Sequence, residues 1–373
     1  MKIIITGGHL SPAFAVIEKL REIQGIEIVY VGRIFSLEGS RKPSQEYIQI
    51  TAQKIKFIPI TTGRLQRSFT RFTIPSLVKI PLGFVQGLKI IFRQQPNCIL
   101  SFGGYVALPI CFAAWLLGVP VFTHEQTTTR GLANKIIEKF AKKIFISWSD
   151  SKPLYPKSKA VFTGNPLRNE IFKINDGNIP KRIKEEKVLP LLYITGGSQG
   201  SESINNLVSE ILVELLNRYR IIHQFGQSKT SQEKIERKMT FLTEEQKIRY
   251  FATSFVDIKS IGWVLKNADL VLGRSGANTV SELLVFKKRC LLIPLPWAGE
   301  EEQEKNAQIL VRAGLGKILY QPALTPKLLL GEIYSAMAKY NRIPEKESQP
   351  EDKNTAAQKI VSIILSEVMP KKS

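Results

Sequence analysis

The sequence is short of acid where it would ordinarily have some. From Tyr47 to His124 there is not one Asp or Glu, yet Lys54, Lys56, Arg64, Arg67, Arg71, Lys79, Lys89 and Arg93 fall inside that stretch. Cysteine is scarce as well: Cys98, Cys111 and Cys290 are scattered through apolar segments. They read as small core residues in a reducing compartment, forming neither a disulfide frame nor a zinc pattern. The three histidines form no cluster with cysteine, and no Asp-x-Asp pair occurs, so nothing suggests a divalent metal. No apolar run reaches the ~18 residues that a spanning helix needs. The longest, Val106 to Val121, is interrupted by Pro109, Gly118 and Pro120. The opening Lys2-Ile3-Ile4-Ile5 looks like a core strand, without the cleavage-site pattern of a signal peptide. A soluble or peripheral protein is expected. The absence of the Walker pattern and of G-x-G-x-x-G argues against a P-loop NTPase or a dinucleotide enzyme.

What is present is an ordinary globular composition carrying an unusual charge. Apolar residues make up 43% of the 373, enough for two domains, but the net charge is +21. That excess points to an anionic partner: nucleic acid, a phosphate-rich substrate or anionic lipid. A charge run is usually a solvated face. Here the cations alternate with Phe69, Phe72, Ile74, Leu77, Val78, Ile80, Leu82, Phe84 and Val85. The stretch therefore reads as a membrane-surface patch centred on Arg64, Arg67, Phe69, Arg71 and Phe72.

Strand and helix signals alternate along the chain, which predicts an α/β protein with parallel sheets. One series opens with a strand at Lys2 to Thr6, the loop Gly7-Gly8-His9 and a helix with Pro12 in its first turn. A second opens with a strand at Leu191 to Thr195, the loop Gly196-Gly197-Ser198-Gln199-Gly200 and a helix from about Ser203. The polar segment Lys173 to Lys187 separates them. Residues 1–166 and 167–345 are accordingly read as two similar domains, with 346–373 as a linker and a final helix. Ala357, Ile360, Ile363 and Ile364 recur at helical spacing there, so that helix should dock on one domain.

Four strands run into Gly- or Ser-rich loops that open helices, at Gly7-Gly8, Gly103-Gly104, Gly196 to Gly200 and Ser275-Gly276-Ala277. Such a junction aims free backbone N–H groups and the positive end of a helix dipole at one point, which suits phosphate. A single loop of this kind is more often just a tight turn; four of them favour anionic ligands. Gly196-Gly197-Ser198-Gln199-Gly200 formally matches the G-x-S-x-G nucleophile elbow. The only later histidine is His223, on the next predicted strand, and no acid is placed to complete a triad. His9 lies in a glycine loop and His124 precedes Glu125-Gln126. A histidine beside a phosphate site suits a general base, the alternative being a hydrogen-bonded turn residue.

These residues resemble the MurG family of UDP-N-acetylglucosamine transferases. The likeness rests on Thr6-Gly7-Gly8-His9 with Pro12-Ala13, Gly103-Gly104-Tyr105-Val106, His124-Glu125-Gln126 with Gly131 to Lys135, and Gly164 to Arg168. The most specific pieces are Gly196 to Gly200 and Arg274 to Glu282, followed by Gln303, Asn306 and Ala307. The resemblance implies a GT-B fold of two Rossmann-like domains facing a central cleft, with UDP-GlcNAc mainly on the second. It implies that Arg168 and Ser198 meet the diphosphate and Val256 lies against uracil. Ala277, Asn278, Thr279, Val280, Ser281 and Glu282 would hold phosphate and ribose, Glu282 at the ribose hydroxyls, and Gln303 would reach the sugar. Thr6, Gly7, Gly8 and Thr127 are further substrate contacts, Thr127 standing where the family has asparagine. The undecaprenyl-diphosphate-linked muramyl peptide would meet Gly103, Gly104 and Tyr105 together with the Gly7-Gly8 loop.

The implied reaction is an inverting, metal-independent transfer of N-acetylglucosamine that needs no cofactor. It would run on the cytoplasmic face of the cell membrane, with anionic lipid and not nucleic acid as the surface partner. His9 is the first candidate for the base and Glu125 the second. Helix N-termini, Ser198 and Arg168 can stabilise the leaving diphosphate. The rival readings are another GT-B enzyme, such as a glycolipid glycosyltransferase or a UDP-GlcNAc epimerase, and a non-catalytic basic module for membrane or nucleic acid.

Overall fold

The computed structural model describes residues 1–35, 42–63, 73–186, 188–197, 199–297, 301–338 and 355–369, without the side chains of 73–78. The chain forms two compact units, Met1–Arg168 joined by Asn354–Ser373, and Asn169–Lys353.

In the first unit β1 (Lys2–Thr6), α1 (Leu10–Arg21), β2 (Glu27–Gly32), α2 (Gln45–Ala52), β3 (Lys56–Pro59) and α3 (Thr73–Gln94) come first. They are followed by β4 (Cys98–Ser101), α4 (Ala107–Leu116), β5 (Val121–Glu125), α5 (Leu132–Ile137), β6 (Lys143–Ile146) and β7 (Ala160–Phe162). The strands pair in parallel in the order β3-β2-β1-β4-β5-β6-β7. A parallel sheet needs both faces covered, and β1 shows how the sequence arranges this. Successive side chains point to opposite faces. Ile3 and Ile5 pack with Phe14, Ile17 and Leu20 of α1, whereas Ile4 packs with Ile110 and Ala113 of α4. Pro12 falls in the first turn of α1, where its missing N–H breaks no helical bond.

The second unit contains α6 (Lys181–Glu185), β8 (Leu191–Thr195), α7 (Glu202–Leu216), β9 (Arg220–Gln224), α8 (Lys229–Thr240), α9 (Glu244–Ile248) and β10 (Tyr250–Thr253). It continues with α10 (Ile261–Asn267), β11 (Leu270–Gly273), α11 (Ala277–Val285), β12 (Cys290–Leu292), α12 (Glu302–Arg312), β13 (Gly316–Ile318) and α13 (Pro326–Ala338). Its parallel strands run β10-β9-β8-β11-β12-β13. Both sheets reverse direction beside their first strand, at β1/β4 and at β8/β11. The crevice at the carboxyl ends of such a reversal is where open α/β sheets bind ligands. All four predicted loops follow those strands, two at each reversal.

The final helix α14 (Thr355–Val368) belongs to the first unit and packs on α1. Of the expected stripe, Ala357, Ile360 and Ile364 are buried against Phe14, Ile17 and Leu20, and Ile363 is partly buried. Burial of each large aliphatic side chain contributes about 1.5–3 kcal/mol. An ion pair of Lys142 with Glu367 at 2.9 Å fixes the helix end. Among the described residues no helix is long and apolar enough to cross a membrane.

Candidate active site

At the β1/β4 reversal two glycine loops meet. Gly8 N donates to Gly103 O at 3.0 Å, and Tyr30 Oη donates to Gly7 O at 3.0 Å. A Cβ on Gly7 would lie 2.7 Å from the backbone carbon of Phe102, and Gly7 has φ +136°, so only glycine allows this approach. Gly103 and Gly104 are both left-handed, and a Cβ on Gly103 would meet Asn134 Nδ2 at 3.0 Å. The hydroxyl of Thr6 is buried beneath these loops and has no hydrogen-bond partner among the described residues. Tyr105 follows directly. Arg33 Nη1 donates to its Oη at 2.6 Å, and the guanidinium carbon lies 5.1 Å from the ring centre. The buried Glu46 accepts from Arg33 N at 3.0 Å; its burial favours the protonated carboxyl, and Arg33 opposes this.

His9 stands at the start of α1, partly exposed and with Gln126 Nε2 2.5 Å from its Nδ1. Crowding by the surrounding protein favours the neutral imidazole, with the Glu125 charge pulling the other way. His124 is buried, with Nε2 3.1 Å from Ser147 Oγ, and loss of hydration pushes its pKa down to about 3. The carboxylate of Glu125 is buried and heavily engaged. Oε1 accepts from Thr127 N (3.2 Å) and Oγ1 (2.8 Å), and Oε2 accepts from Gly131 N (3.0 Å) and Asn134 Nδ2 (2.9 Å). This ties the loop after β5 to the start of α5 and accounts for Gly131 and Asn134 in the sequence pattern. The buried Thr127 hydroxyl also lies 2.7 Å from Thr129 O, so it serves this brace. Arg168 is the last residue of the first unit, two residues beyond the expected boundary. Its guanidinium lies 4.5 Å from the Phe14 ring centre and donates to Gln49 Oε1 at 3.2 Å.

In the second unit the loop after β8 is built on two further left-handed glycines. Gly197 N donates to Thr195 Oγ1 at 3.0 Å, and Gly200 N to Gly197 O at 3.1 Å. Ser198 lies outside the described residues, as do Arg64, Arg67, Phe69, Arg71 and Phe72. Gln224, at the end of β9, organises the floor. Its amide donates to Gly197 O at 3.0 Å, and its Oε1 accepts from Val256 N at 2.9 Å. The Val256 side chain is itself buried. Gly276 caps α11. Ala277 and Val280 are core residues, and Ser281 Oγ turns back to Ala277 O at 2.8 Å. Asn278, Thr279 and Glu282 are partly exposed polar residues of α11. Gln303 is tied to both neighbouring loops: Oε1 accepts from Leu295 N at 3.0 Å and its carbonyl from Ser275 Oγ at 2.7 Å.

The structure thus gathers Thr6, Gly7, Gly8, His9, Gly103, Gly104 and Tyr105 in the first unit, with Gln126 linking them to Glu125 and Thr127. It gathers Val256, Ala277 to Glu282 and Gln303 in the second. Sequence reasoning assigned no role to Gln126, Gln224, Arg33 or Arg274. For all four the partners are distant in sequence; Gln224 closes the strand Arg220-Ile221-Ile222-His223-Gln224, in which it is one of three polar residues.

Comparison with known proteins agrees with this architecture. Residues 3–146 match the glycosyltransferase family 28 N-terminal domain and residues 191–363 its C-terminal domain. A UDP-N-acetylglucosamine–N-acetylmuramyl-(pentapeptide) pyrophosphoryl-undecaprenol N-acetylglucosamine transferase of Clostridium kluyveri is 35% identical, covering 97% of this chain and 98% of its own. The protein of that name from Treponema denticola is 30% identical over 87% of this chain and 84% of its own. Among solved structures, Acinetobacter baumannii MurG shares the fold with TM-score 0.69 at 23% identity, covering 98% of this chain and 99% of its own. A UDP-GlcNAc 2-epimerase from Neisseria meningitidis also shares it, with TM-score 0.63 at 14% identity over 98% and 100%. The chain belongs to glycosyltransferase family 28 and, within it, to the UDP-N-acetylglucosamine–N-acetylmuramyl-(pentapeptide) pyrophosphoryl-undecaprenol N-acetylglucosamine transferases.

Proposed function

We propose that this chain transfers N-acetylglucosamine from UDP-GlcNAc to the undecaprenyl-diphosphate-linked muramyl peptide, with inversion and without a metal ion. The observation that carries the reading is the pairing of glycine loops at both sheet reversals in a chain of this family. In the first unit Gly7, Gly8, Gly103, Gly104 and Tyr105 receive the acceptor's diphosphate, with Thr6 and Thr127 as neighbouring substrate contacts. In the second, Ala277 to Ser281 offer the start of α11 to phosphate and ribose, and Glu282 accepts from the ribose hydroxyls. Val256 lies against uracil and Gln303 reaches the sugar; Arg168 and Ser198 are further diphosphate contacts.

The acceptor hydroxyl attacks the anomeric carbon as the bond to the UDP oxygen breaks on the opposite face. His9 takes the hydroxyl proton, for which one ring nitrogen must hold a lone pair toward the substrate. If Nδ1 carries the imidazole proton, Nε2 is that nitrogen. Gln126 supports this tautomer: its buried Oε1 has no partner among the described residues, and a half-turn of the amide brings it to Nδ1–H. Glu125, with its oxygens engaged by the loop, ranks second as base and first as the brace that holds Gln126. The departing diphosphate leaves against helix N-termini, which stabilise negative charge without a metal.

Docking at the cytoplasmic face of an anionic membrane is supported by the described part of the acid-free stretch. Val85 and Phe92 of α3 are 63% and 75% exposed, and Trp115, Leu116 and Leu117 at the end of α4 are also open to solvent. Lys79, Lys89 and Arg93 lie on the same helix as Val85 and Phe92. Apolar side chains with nearby cations suit a peripheral lipid contact.

The experiment is UDP release measured with and without the muramyl lipid acceptor. Acceptor-dependent release supports transfer, whereas conversion of UDP-GlcNAc without acceptor would replace it with an epimerase. Glu282→Ala should weaken UDP binding by about 1–3 kcal/mol; unchanged affinity by calorimetry would remove the donor assignment. Turnover should survive EDTA.

A further inference from the structure

Arg274 follows β11 directly and is only 7% exposed. Its Nη1 donates to Ile293 O (2.9 Å) and Pro294 O (3.1 Å). Its Nη2 donates to Ser201 Oγ (2.8 Å), Ser203 Oγ (2.8 Å) and Gln321 Oε1 (2.7 Å). All five acceptors are neutral, and among the described residues no carboxylate pairs with it. Burial of an arginine is ordinarily offset by an acid. Arg220 shows this within the same unit, its burial offset by the nearby charges of Asp269 and Glu186. For Arg274 loss of hydration weakens the hold on its proton with no acid to oppose it, yet a guanidinium remains charged at any physiological pH.

The position of this charge gives it a use. Ser201 is the N-cap of α7 and Ser203 lies in its first turn, while Gly276, two residues beyond Arg274, is the N-cap of α11. One side chain therefore pins the start of one phosphate-type helix and stands at the start of the other. Both helix ends already carry partial positive charge from free N–H groups. Adding a full, unpaired cation there raises the energy of the empty protein, and a dianionic ligand removes that penalty.

We propose that Arg274 is a positioning residue whose uncompensated charge makes the second unit select its nucleotide by phosphate charge. It acts through its field and through Ser201 and Ser203, and the inference rests on the donor assignment above. Binding of uridine, UMP and UDP to the full chain, compared by calorimetry, tests it. Wild type should tighten steeply along that series. Arg274→Gln should lose at least about tenfold in UDP affinity and less than about threefold for uridine, because the lost interaction scales with ligand charge. Arg274→Lys, which keeps the charge but breaks the fork, should retain much of the preference for UDP over uridine. Should Arg274→Gln fail to fold, the lysine variant decides alone. An equal loss for all three ligands in Arg274→Gln, or loss of the preference for UDP over uridine in Arg274→Lys, would make Arg274 a structural clamp and overturn the proposal. A wild-type chain that binds none of them would instead sink the donor assignment.

Discussion

Gly197 and Gly200 have nearly the same backbone conformation, φ +82° and +80°, yet opposite surroundings. A Cβ on Gly197 meets nothing within 4 Å, whereas one on Gly200 would lie 2.2 Å from Phe225 O and 2.7 Å from Gly226 Cα. Gly226 is left-handed too, and its own Cβ would fall 2.3 Å from Gly200 Cα. The two segments cross here backbone on backbone, locking the loop after β8 to the end of β9. Gly197→Ala should therefore cost only the left-handed penalty, about 1–2 kcal/mol. Gly200→Ala carries the same penalty and must also push the crossing backbones apart by more than about 1 Å, since carbon contacts lie near 3.5–4 Å. Overpacking of that kind adds about 1–3 kcal/mol. For a unit of this size 1 kcal/mol moves the melting midpoint by about 2–4 °C. Gly197→Ala should thus shift it by roughly 2–8 °C and Gly200→Ala by roughly 4–20 °C, with the larger loss of UDP affinity in the second. The transition to follow by calorimetry is the one that UDP raises. Equal shifts in the two variants would refute the reasoning, because conformation alone would then account for both.

Three further outcomes can be checked directly. His9→Ala should lower turnover by about 10²-fold while sparing UDP-GlcNAc binding, and because the fold favours neutral His9, the acid limb of kcat should lie below pH 6.5; normal turnover would make His9 a turn residue. His223, buried with Tyr250 Oη at 2.9 Å and Asn205 Oδ1 at 3.0 Å, stays neutral down to about pH 4, and His124 to about 3. Unfolded histidine takes a proton near 6.5, so below that pH the unfolded chain binds more protons and each of these two histidines should remove about 1.4 kcal/mol of stability per pH unit, down to those values. Urea midpoints at pH 7, 6 and 5 test this, and a slope in the second unit that His223→Gln leaves unchanged would count against it. Changing Arg64, Arg67 and Arg71 together to Glu should abolish sedimentation with anionic vesicles, at about 1 kcal/mol per cation, and leave UDP binding intact. Phe92→Ser should weaken sedimentation even at high salt; wild-type behaviour in both variants would place the docking surface elsewhere.

Both sheets were legible in the sequence because their central strands are buried on two faces. Ile3, Ile4 and Ile5, like Leu191 to Ile194, form short apolar runs followed by Thr and a glycine pair, and the short length and flanking glycines mark such a run as a covered strand. The loops were legible for a related reason: left-handed backbone at Gly7, Gly103, Gly104, Gly197 and Gly200 demands a residue type that stands out. Side-chain partnerships were not. Arg274 could be quoted as part of a pattern, but its partners Ser201, Ile293 and Gln321 come from three separate connections that only the sheet order brings together. Glu125 illustrates the opposite hazard. A carboxylate beside a histidine suggests acid–base chemistry, and four hydrogen bonds from Thr127, Gly131 and Asn134 give it another occupation.

The first unit is discontinuous: the chain leaves it at Arg168 and returns at Asn354. During synthesis its seven strands are complete long before α14 exists. The face of α1 that receives Ile360 and Ile364 must wait while the entire second unit is made. At about 5–20 residues per second that interval is roughly 10–40 s. For that time the nascent chain exposes an apolar strip on the very helix that begins at His9. Premature termination just before α14 would leave both sheets intact and that strip permanently bare, a lesion seen as aggregation or chaperone retention rather than as a missing chemical group.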